Sequence, residues 1–480
     1  MRDLINLGLN RANILGVTYA DVRLVRTMAE SISLKNGRVE EISSASDFGF
    51  GVRVLANGAW GFASSFRLDK KEVEDTTALA VQIARASALA KTKDVFLAPV
   101  EQVQASYQTP FSIDPFKVSL EERLDLLAKA EGILRRNKGV KISQASMNIF
   151  RRNQIFASSE GSYIEQEITH CGAGIAATAI KEEDIQVRSF PNSHGGQFGA
   201  GGYELIESLK LAENAERIAE EAVALLSSKE CPSTTTTIVL DSSQAALQVH
   251  ESLGHPAELD RVMGTEISLA GGSFLTPDKL NNFKYGSEIV NIAADATIQG
   301  GLGTSGYDDE GVPAQRMELV KGGIFVGYLT SRETAPLLNQ RSNGCMRADG
   351  WNRIPLIRMT NINLEPGEPT LEEMISDTDE GIYMETNKSW SIDDKRLNFQ
   401  FATEMAREIK RGKLGALIKN ANYTGLTPTF WGSCDAIADE DHWRMWGIPN
   451  CGKGEPVQIA HVGHSASPAR FRNVRVGVRK

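Results

Sequence analysis

The chain has 480 residues, of which 41% are hydrophobic and 24% charged, and its formal net charge is -9. Such a composition is typical of a folded protein with two or three domains. The negative charge and the scattered basic residues disfavour direct nucleic-acid binding. No stretch reaches the roughly 20 apolar residues of a membrane span, and the first residues lack a signal-peptide pattern. Because five widely spaced cysteines do not form a disulfide framework, we expect a cytoplasmic protein.

The N-terminal half has the pattern of helices combined with an antiparallel sheet. A short helix is predicted over residues 1–15, and alternating apolar and polar residues follow over 19–65. Two Asn-Gly pairs, at 36–37 and 57–58, are strong hairpin signals, so we expect about four strands there. Further along the chain, helical patterns occur at about 70–91, 120–138 and 209–227, strand patterns at 140–190, and a glycine-rich loop at 191–204.

The best candidate for a domain boundary is the segment SSKECPSTTTT at 227–237. Helical periodicity stops there, and Pro232 with four threonines begins an extended segment. We therefore expect one domain over residues 1–231 and another over 232–480. Helices and strands are segregated rather than alternating, which favours an α+β fold. The N-terminal domain combines an antiparallel sheet with helices, and the C-terminal domain is rich in β-strands.

The C-terminal domain begins with the segment that is most informative about chemistry, TTTTIVLDSSQAALQVHESLGHPAELD. It predicts a buried strand over 236–240 and a helix over 242–253, with Asp241 as the N-cap. This helix carries His250 and Glu251. Imidazole is a common zinc ligand, and an adjacent glutamate suits a general base for a metal-activated water. The helix therefore predicts a metallopeptidase site with the spacing H-E-x-x-x-H.

The second histidine of this motif, His255, lies five residues after His250. On a regular α-helix the two side chains would point about 140° apart, so they could not share one face. Gly254 and Pro256 offer one solution, in which the helix ends and His255 lies on the following turn. A π-bulge within the helix is the other solution. The turn is the favoured expectation.

A zinc site also needs a third protein ligand. Cys451, in PNCGKGEP, lies in a segment with the composition of an exposed loop, and Cys434, in WGSCDA, is the second candidate. His461 and His464, in HVGH, form a rival pair of donors near the end of the chain. Reasoning from the residues alone does not choose between Cys451 and Cys434.

With these motifs, the chain resembles the TldD/PmbA family of zinc metallopeptidases, which has also been labelled as modulators of DNA gyrase. Within that family it resembles the TldD type, because the paired PmbA or TldE type lacks the histidine motif. The matching segments are HESLGHPAELD, YDDEGVPAQRMELVKGGIFVGYLTSRETA, GCMRADGWNRIPLIRMTNINLEPG, ISDTDEGIYM and NCGKGEP. The resemblance extends over the full length and is strongest in the C-terminal half.

The resemblance implies that His250, His255 and Cys451 bind zinc (Zn2+) and that Glu251 is the catalytic base. It thereby favours Cys451 over Cys434. It further implies a dimer, either a homodimer or a heterodimer with a TldE/PmbA-type paralogue, that cleaves flexible or unfolded peptides in extended form. The histidine-rich C-terminal segment, HVGHSASPARFRNVRVGV, departs from the family and leaves partner and substrate preference open.

A glycine pattern, an acidic segment and one arginine are three further candidates for a functional role. A G-x-G-x-x-G pattern at 301–306 is followed by Tyr-Asp-Asp-Glu-Gly-Val-Pro, which cannot begin a normal helix, so a dinucleotide site is not expected. Asp308, Asp309 and Glu310 are expected in a polar turn, with a role beside a zinc-ligating histidine as the alternative. Arg347 is expected at the surface, and binding of a substrate carboxylate is its alternative role.

Together these observations predict a zinc-dependent peptidase of the HExxxH type with Glu251 as general base. A binding subunit without enzymatic activity, modulating a partner such as DNA gyrase, is the alternative. A zinc hydrolase acting on another amide or ester is a third hypothesis. Bound zinc and sensitivity to a chelator separate the enzyme hypotheses from the binding subunit.

Overall fold

The computed structural model describes residues 1–269 and 271–478. Its N-terminal part contains, in chain order, α1 (Arg2–Ile14), β1 (Tyr19–Lys35), β2 (Arg38–Ala56), β3 (Ala59–Ser65), α2 (Lys70–Ser87), β4 (Gln104–Gln108), α3 (Leu120–Arg136), β5 (Val140–Ser158), β6 (Tyr163–Lys181), β7 (Asp184–Phe190), β8 (Gln197–Ala200), α4 (Tyr203–Ser208) and α5 (Leu211–Leu226). The four predicted helices correspond to α1, α2, α3 and α5. The glycine-rich loop at 191–204 contains β8 and the start of α4.

The N-terminal strands form one sheet with the order β3-β2-β1-β5-β6-β4, and β7 and β8 also pair with β6. Helices α1 and α2 bury apolar side chains against β1–β3, and α3 and α5 do so against β5 and β6. Both Asn-Gly pairs have positive φ at both residues, as a two-residue type I′ hairpin requires, so these turns are confirmed. The prediction of about four strands over 19–65 is wrong, because β1 and β2 run for 17 and 19 residues and leave room for three.

The C-terminal part contains β9 (Lys229–Glu230), β10 (Thr234–Leu240), α6 (Ser242–Val249), a π-helical turn (His250–Gly254), α7 (Leu259–Val262), β11 (Ile292–Asp295), β12 (Arg316–Lys321), β13 (Ile324–Phe325), β14 (Met346–Arg347), β15 (Leu356–Ile357), β16 (Ile362–Leu364), α8 (Leu371–Ser376), β17 (Glu380–Ile392), β18 (Asn398–Lys410), β19 (Lys413–Lys419), β20 (Asn422–Leu426), α9 (Thr427–Gly432), β21 (Cys434–Ile437), β22 (Arg444–Lys453), β23 (Gln458–Ala466) and β24 (Ala469–Val476). Short 3-10 turns lie at Pro115–Lys117, Pro277–Lys279, Ala335–Leu338 and Glu440–His442.

The main C-terminal sheet has the order β17-β10-β24-β20-β18-β19-β9, and β21 pairs with β24. Smaller sheets are β13-β12-β11-β16, β14-β15 and the β22–β23 ribbon. Most pairs are antiparallel, although β10 runs parallel to β17 and β9 to β19. The α+β prediction with a β-rich C-terminal part is confirmed. The domain boundary between residues 231 and 232 stays a prediction. Strand β9 lies before that boundary but pairs with β19 of the C-terminal sheet.

Charged side chains join the two parts of the molecule. The guanidinium of Arg53 on β2 lies 3.1 Å from a carboxylate oxygen of Glu310, and Arg332 lies 2.7 Å from Glu160. The N-terminal sheet is therefore fixed against the loops that lead into the C-terminal sheets. Within the described residues, no helix has the length and apolarity needed to cross a membrane.

Candidate metal centre

Helix α6 begins directly after β10, whose last three residues are buried in the C-terminal core. The Asp241 side chain accepts hydrogen bonds from the backbone N–H groups of Ser243 and Gln244, so the predicted N-cap is confirmed. Every residue of the helix except Ser243 is buried. A short, capped and enclosed helix of this kind holds the side chains at its C-terminal end in a fixed position.

The chain passes from α6 into the π-helical turn His250–Gly254, and His255 lies directly after it. The backbone N–H of His255 donates to the carbonyl of His250 at 3.2 Å, which is the i to i+5 bond of a π-turn. The wider turn accommodates the extra residue, and the two imidazole centroids lie 4.8 Å apart. His255 therefore lies directly after the helix end, as expected, but the helix ends in a π-turn, the other predicted solution, and not in a left-handed Gly254, whose φ is not positive. Gly254 serves packing here, because a Cβ at that position would lie 2.1 Å from Sδ of Met359.

Cys451 on β22 meets the two histidines. Its Sγ atom lies 3.7 Å from Nε2 of His250 and 3.6 Å from Nε2 of His255, and all three atoms lie within 4.8 Å of one another. Around a tetrahedral zinc ion, with Zn–S of about 2.3 Å and Zn–N of about 2.05 Å, the expected S···N distance is about 3.6 Å. The donor set therefore fits such an ion. Cys434 is buried on β21, where its Sγ lies 3.8 Å from the carbonyl of Ala436.

Each histidine of the cluster has a partner on its other ring nitrogen. Nδ1 of His255 lies 3.0 Å from a carboxylate oxygen of Glu258. Nδ1 of His250 lies 2.6 Å from Nε2 of His464, whose own Nδ1 lies 3.3 Å from the carbonyl of Ile362. Partners of this kind fix the tautomer and direct the Nε2 lone pair toward a metal ion. Both Nε2 atoms are thereby available as ligands.

His461 and His464 do not act together as a rival donor pair. Ala460 on β23 pairs with Cys451 on β22, so Ala460 and His464 share the face of the ribbon that carries Cys451. His461 points to the opposite face, where its Nδ1 lies 2.8 Å from Nδ1 of His170 on β6. His464 thus supports a candidate ligand, whereas His461 belongs to another region.

Neighbouring charges set the ionisation of the thiol and of the glutamate. Burial raises the pKa of Cys451, but His255 and Arg358 outweigh this effect, so the pKa lies below its ordinary value. Burial also raises the pKa of Glu251, and His250, His255 and Arg396 reverse the shift, so that this pKa too is lowered. A thiolate is the form that binds a metal, and a carboxylate is the form that accepts a proton.

Three residues near the cluster have no signal in the sequence. Arg396, in the turn between β17 and β18, forms a hydrogen-bonded ion pair with Glu251. Trp390, near the end of β17, contributes to the lowered pKa of Glu251 and is 46% exposed. His194, from the glycine-rich loop, lies with its ring centroid 5.8 Å from that of Trp390, and its buried Nε2 has no partner among the described residues. The N-terminal part thus contributes a side chain beside a site built in the C-terminal part.

The segment Asp308, Asp309 and Glu310 forms a turn, but it is buried rather than solvated. Asp309 accepts a hydrogen bond from Gln154 at 2.7 Å and lies 3.4 Å from Arg152. These contacts join the N-terminal sheet to the C-terminal part, and none of the hydrogen bonds of the three residues in the described structure goes to a metal-site histidine. Their role is therefore structural.

The glycine pattern at 301–306 serves close packing. The N–H of Gly303 donates to the side-chain oxygen of Asn361 at 2.9 Å, and a Cβ on Gly303 would lie 2.2 Å from the carbonyl of Thr360. In the described chain, the segment from 301 to the start of β12 contains no helix.

Comparison with known proteins gives consistent matches along the chain. Models of the PmbA/TldA metallopeptidase match as domain 1 at residues 20–84, as the central domain at 113–228 and as the C-terminal domain at 233–477. A metalloprotease of Methanocaldococcus jannaschii is 32% identical over 93% of this chain and 94% of its own. A zinc metalloprotease TldD homologue of Saccharolobus solfataricus is 23% identical over 95% and 96% of the two chains. The structure of TldE from Thermococcus kodakarensis matches the fold with a TM-score of 0.76 at 16% identity, over all of both chains.

Proposed function

Because this chain belongs to the PmbA/TldD metallopeptidase family, we propose that it is a zinc-dependent peptidase of the HExxxH type. The observation that carries the proposal is the convergence of His250, His255 and Cys451 beside the carboxylate of Glu251. The S···N distances support zinc, and so does the zinc metalloprotease among the relatives. When bound, zinc would polarise the peptide carbonyl and lower the pKa of water.

The chain's own residues would move the proton. Glu251 would accept a proton from the attacking water as the new C–O bond forms at the carbonyl carbon. It would then return that proton to the amide nitrogen as the C–N bond breaks. Arg396 holds the Glu251 carboxylate in the resting arrangement. Glu251 is thus kept ionised and oriented before the substrate arrives.

The enclosure of the site argues for a flexible peptide substrate. His250, Glu251, His255 and Cys451 are only 4–5% exposed. A folded protein surface cannot reach groups at this depth, whereas an extended chain can, and it can add backbone hydrogen bonds to nearby strands. We propose flexible or unfolded peptides as the substrate class. Assembly as a homodimer or with a TldE/PmbA-type paralogue, and a cytoplasmic location, stay predictions.

The variant Glu251→Ala tests the proposed mechanism. We expect it to keep bound zinc and to lose peptidase activity by about 100-fold or more, because a positioned general base contributes about 10²–10⁴-fold. Cleavage of an unfolded fluorogenic peptide, together with the zinc content of the same preparation, measures both properties. Undiminished cleavage by the variant would rule out the mechanism. A wild-type protein that contains no zinc, and whose function a chelator does not change, would favour the binding subunit.

A further inference from the structure

A cavity lies against the face of the β22–β23 ribbon that is opposite to the Cys451 side chain. Its volume is about 110 Å³, and residues of β5, β6, the 304–309 segment, β14 and β23 line it. Ile459 and His461 are among the lining residues, and both project from the face of the β22–β23 ribbon opposite to Cys451. Ala460, which shares the face of Cys451, also lines the cavity, so the cavity adjoins the ribbon that carries this candidate ligand.

Arg347 supplies a positive charge at this cavity, and no acidic side chain among the described residues forms an ion pair with it. Its guanidinium donates to the backbone carbonyls of His461, at 2.8 Å, and of Met359. Its buried Nε has no hydrogen-bond partner, and no carboxylate oxygen lies within 4.0 Å of its nitrogens in the part of the chain that is described. Burial, together with the nearby Arg358, lowers the pKa of Arg347 to about 10. A cation enclosed without a counter-charge is costly, so an anionic partner would stabilise it.

His170 supplies a buried ring nitrogen without a hydrogen-bond partner among the described residues at the same cavity. It is 6% exposed, and its Nε2 is buried without a partner among the described residues. Its Nδ1 lies 2.8 Å from Nδ1 of His461, and burial lowers the pKa of both rings, that of His461 to about 4. Of two neutral imidazoles in such contact, one must donate and the other accept. If His461 donates, the single N–H of His170 is on Nε2.

Two acidic residues, Asp309 and Asp349, line the cavity, and both already accept hydrogen bonds; Asp349 accepts one from the backbone N–H of Ile459 at 3.0 Å. Asp309 accepts hydrogen bonds from Gln154 and from the backbone N–H of Ala348, each at 2.7 Å, and it lies 3.4–3.5 Å from Arg152 and Arg23. Two guanidinium groups thus face this one carboxylate. Neither carboxylate forms an ion pair with Arg347 in the described structure, although Asp309 offsets part of the charge of Arg347.

We propose that this cavity binds a compact oxyanion, a carboxylate or a phosphate, through the guanidinium of Arg347 and the Nε2–H of His170. The ligand could be a free anion or the terminal carboxylate of a peptide, because both present the same oxygens. The proposal goes beyond the peptidase function and does not depend on it, since neither residue belongs to the proposed metal ligands or to the general base.

Calorimetric titration of the full-length, zinc-loaded protein tests this site. Inorganic phosphate, acetate and an N-acetylated tripeptide are each titrated at constant ionic strength set with chloride, and the peptide is compared with its C-terminal amide. We expect saturable binding of at least one of these anions, and at least about tenfold weaker binding by Arg347→Met and by His170→Phe. Arg341→Met, at an exposed arginine, and Glu251→Ala should bind as the wild type does.

The outcomes separate the two sources of the ligand. Binding of phosphate or acetate identifies a free anion, and binding of the peptide acid but not of its amide identifies a chain terminus. The use of two variants, each checked for folding by circular dichroism, keeps the test valid if one of them does not fold. No saturable binding of any probe by the wild type, or equal binding by wild type and both variants, would overturn the proposal.

Discussion

His250 and His255 rely on hydrogen-bond partners of different charge. The partner of His250 is His464, a neutral imidazole that hydrogen-bonds to the carbonyl of Ile362. The partner of His255 is Glu258, a fully buried carboxylate. Burial raises the pKa of Glu258, but Lys453 and His255 outweigh this, so the pKa lies well below its ordinary value. The carboxylate therefore orients an imidazole and also compensates buried cations.

We expect Glu258→Gln to lower the free energy of unfolding by about 3 kcal/mol or more, because Lys453 and Arg261 would lose a buried counter-charge. Glu318→Gln is the matched control, since its pair with Lys321 at 3.0 Å is exposed and should contribute less than about 1 kcal/mol. Urea unfolding of both zinc-loaded variants measures the difference. Equal effects of the two substitutions would contradict this role of Glu258.

At the residue scale, the sequence identifies the site residues that lie in one segment, but not those that distant segments bring to the site. His250, Glu251 and His255 stand together in one segment, so their spacing alone indicates chemistry. Cys451 lies 196 residues after His255, and its local sequence does not distinguish it from Cys434; only the resemblance to a family did so. Arg396, Trp390 and His194 carry no local pattern, because a hairpin and a loop from distant segments bring them to the site.

At the element scale, the π-turn is what makes H-E-x-x-x-H workable. Residues five apart diverge on an α-helix, and the wider turn returns the second histidine to the side of the first. Local composition could not decide between this turn and a helix end, because Gly254 and Pro256 fit both. The deciding contact is tertiary: Met359 packs so closely on Gly254 that no side chain fits there.

Gly254→Ala should therefore weaken zinc binding by about tenfold or more and lower the free energy of unfolding by about 1–3 kcal/mol, the usual cost of overpacking. The double variant Gly254→Ala with Met359→Ala should regain part of the zinc affinity, because it removes the colliding thioether. Competition with a chromogenic chelator measures the affinity. A Gly254→Ala protein with the affinity of the wild type would show that the packing does not position His255.

Sheet elements were predicted where their signals are local. The Asn-Gly turns follow from the backbone preference for positive φ, so both hairpins were identified from two residues each. The strand count was wrong because β2 runs for 19 residues, far beyond the usual strand length, and its first ten residues are exposed. Those residues are held by pairing with β1 rather than by burial, and that pairing is not visible in a single sequence.

At the scale of the whole molecule, the two parts meet through buried polar groups. Arg53 joins Asp21 to Glu310, and Glu404 on β18 accepts hydrogen bonds from the N–H and hydroxyl of Ser189 on β7, both at 2.7 Å. Such contacts fix the relative position of the parts more specifically than apolar packing does. They also explain how a loop of the N-terminal part can bring His194 to the C-terminal site.

Glu404 makes the stability of this contact depend on pH. Burial raises its pKa to about 7, against the opposing effect of Arg188. Between about pH 4.5 and 7 the unfolded carboxyl is ionised while the folded one keeps its proton, so stability falls as pH rises, by up to about 3 kcal/mol. Glu404→Gln should lack this part of the dependence. Urea unfolding from pH 5 to 7.5 measures the free energy of unfolding of both proteins at each pH. The same pH dependence in the wild type and in Glu404→Gln would contradict the raised pKa of Glu404.

Metal analysis of the purified protein tests the central claim most directly. We predict about one zinc ion per wild-type chain, little or none in His250→Ala and Cys451→Ala, and a full complement in the control Cys434→Ala, whose thiol is buried away from both histidines. Stoichiometric zinc retained by Cys451→Ala, or zinc lost from Cys434→Ala, would contradict the proposal that His250, His255 and Cys451 together hold the catalytic metal.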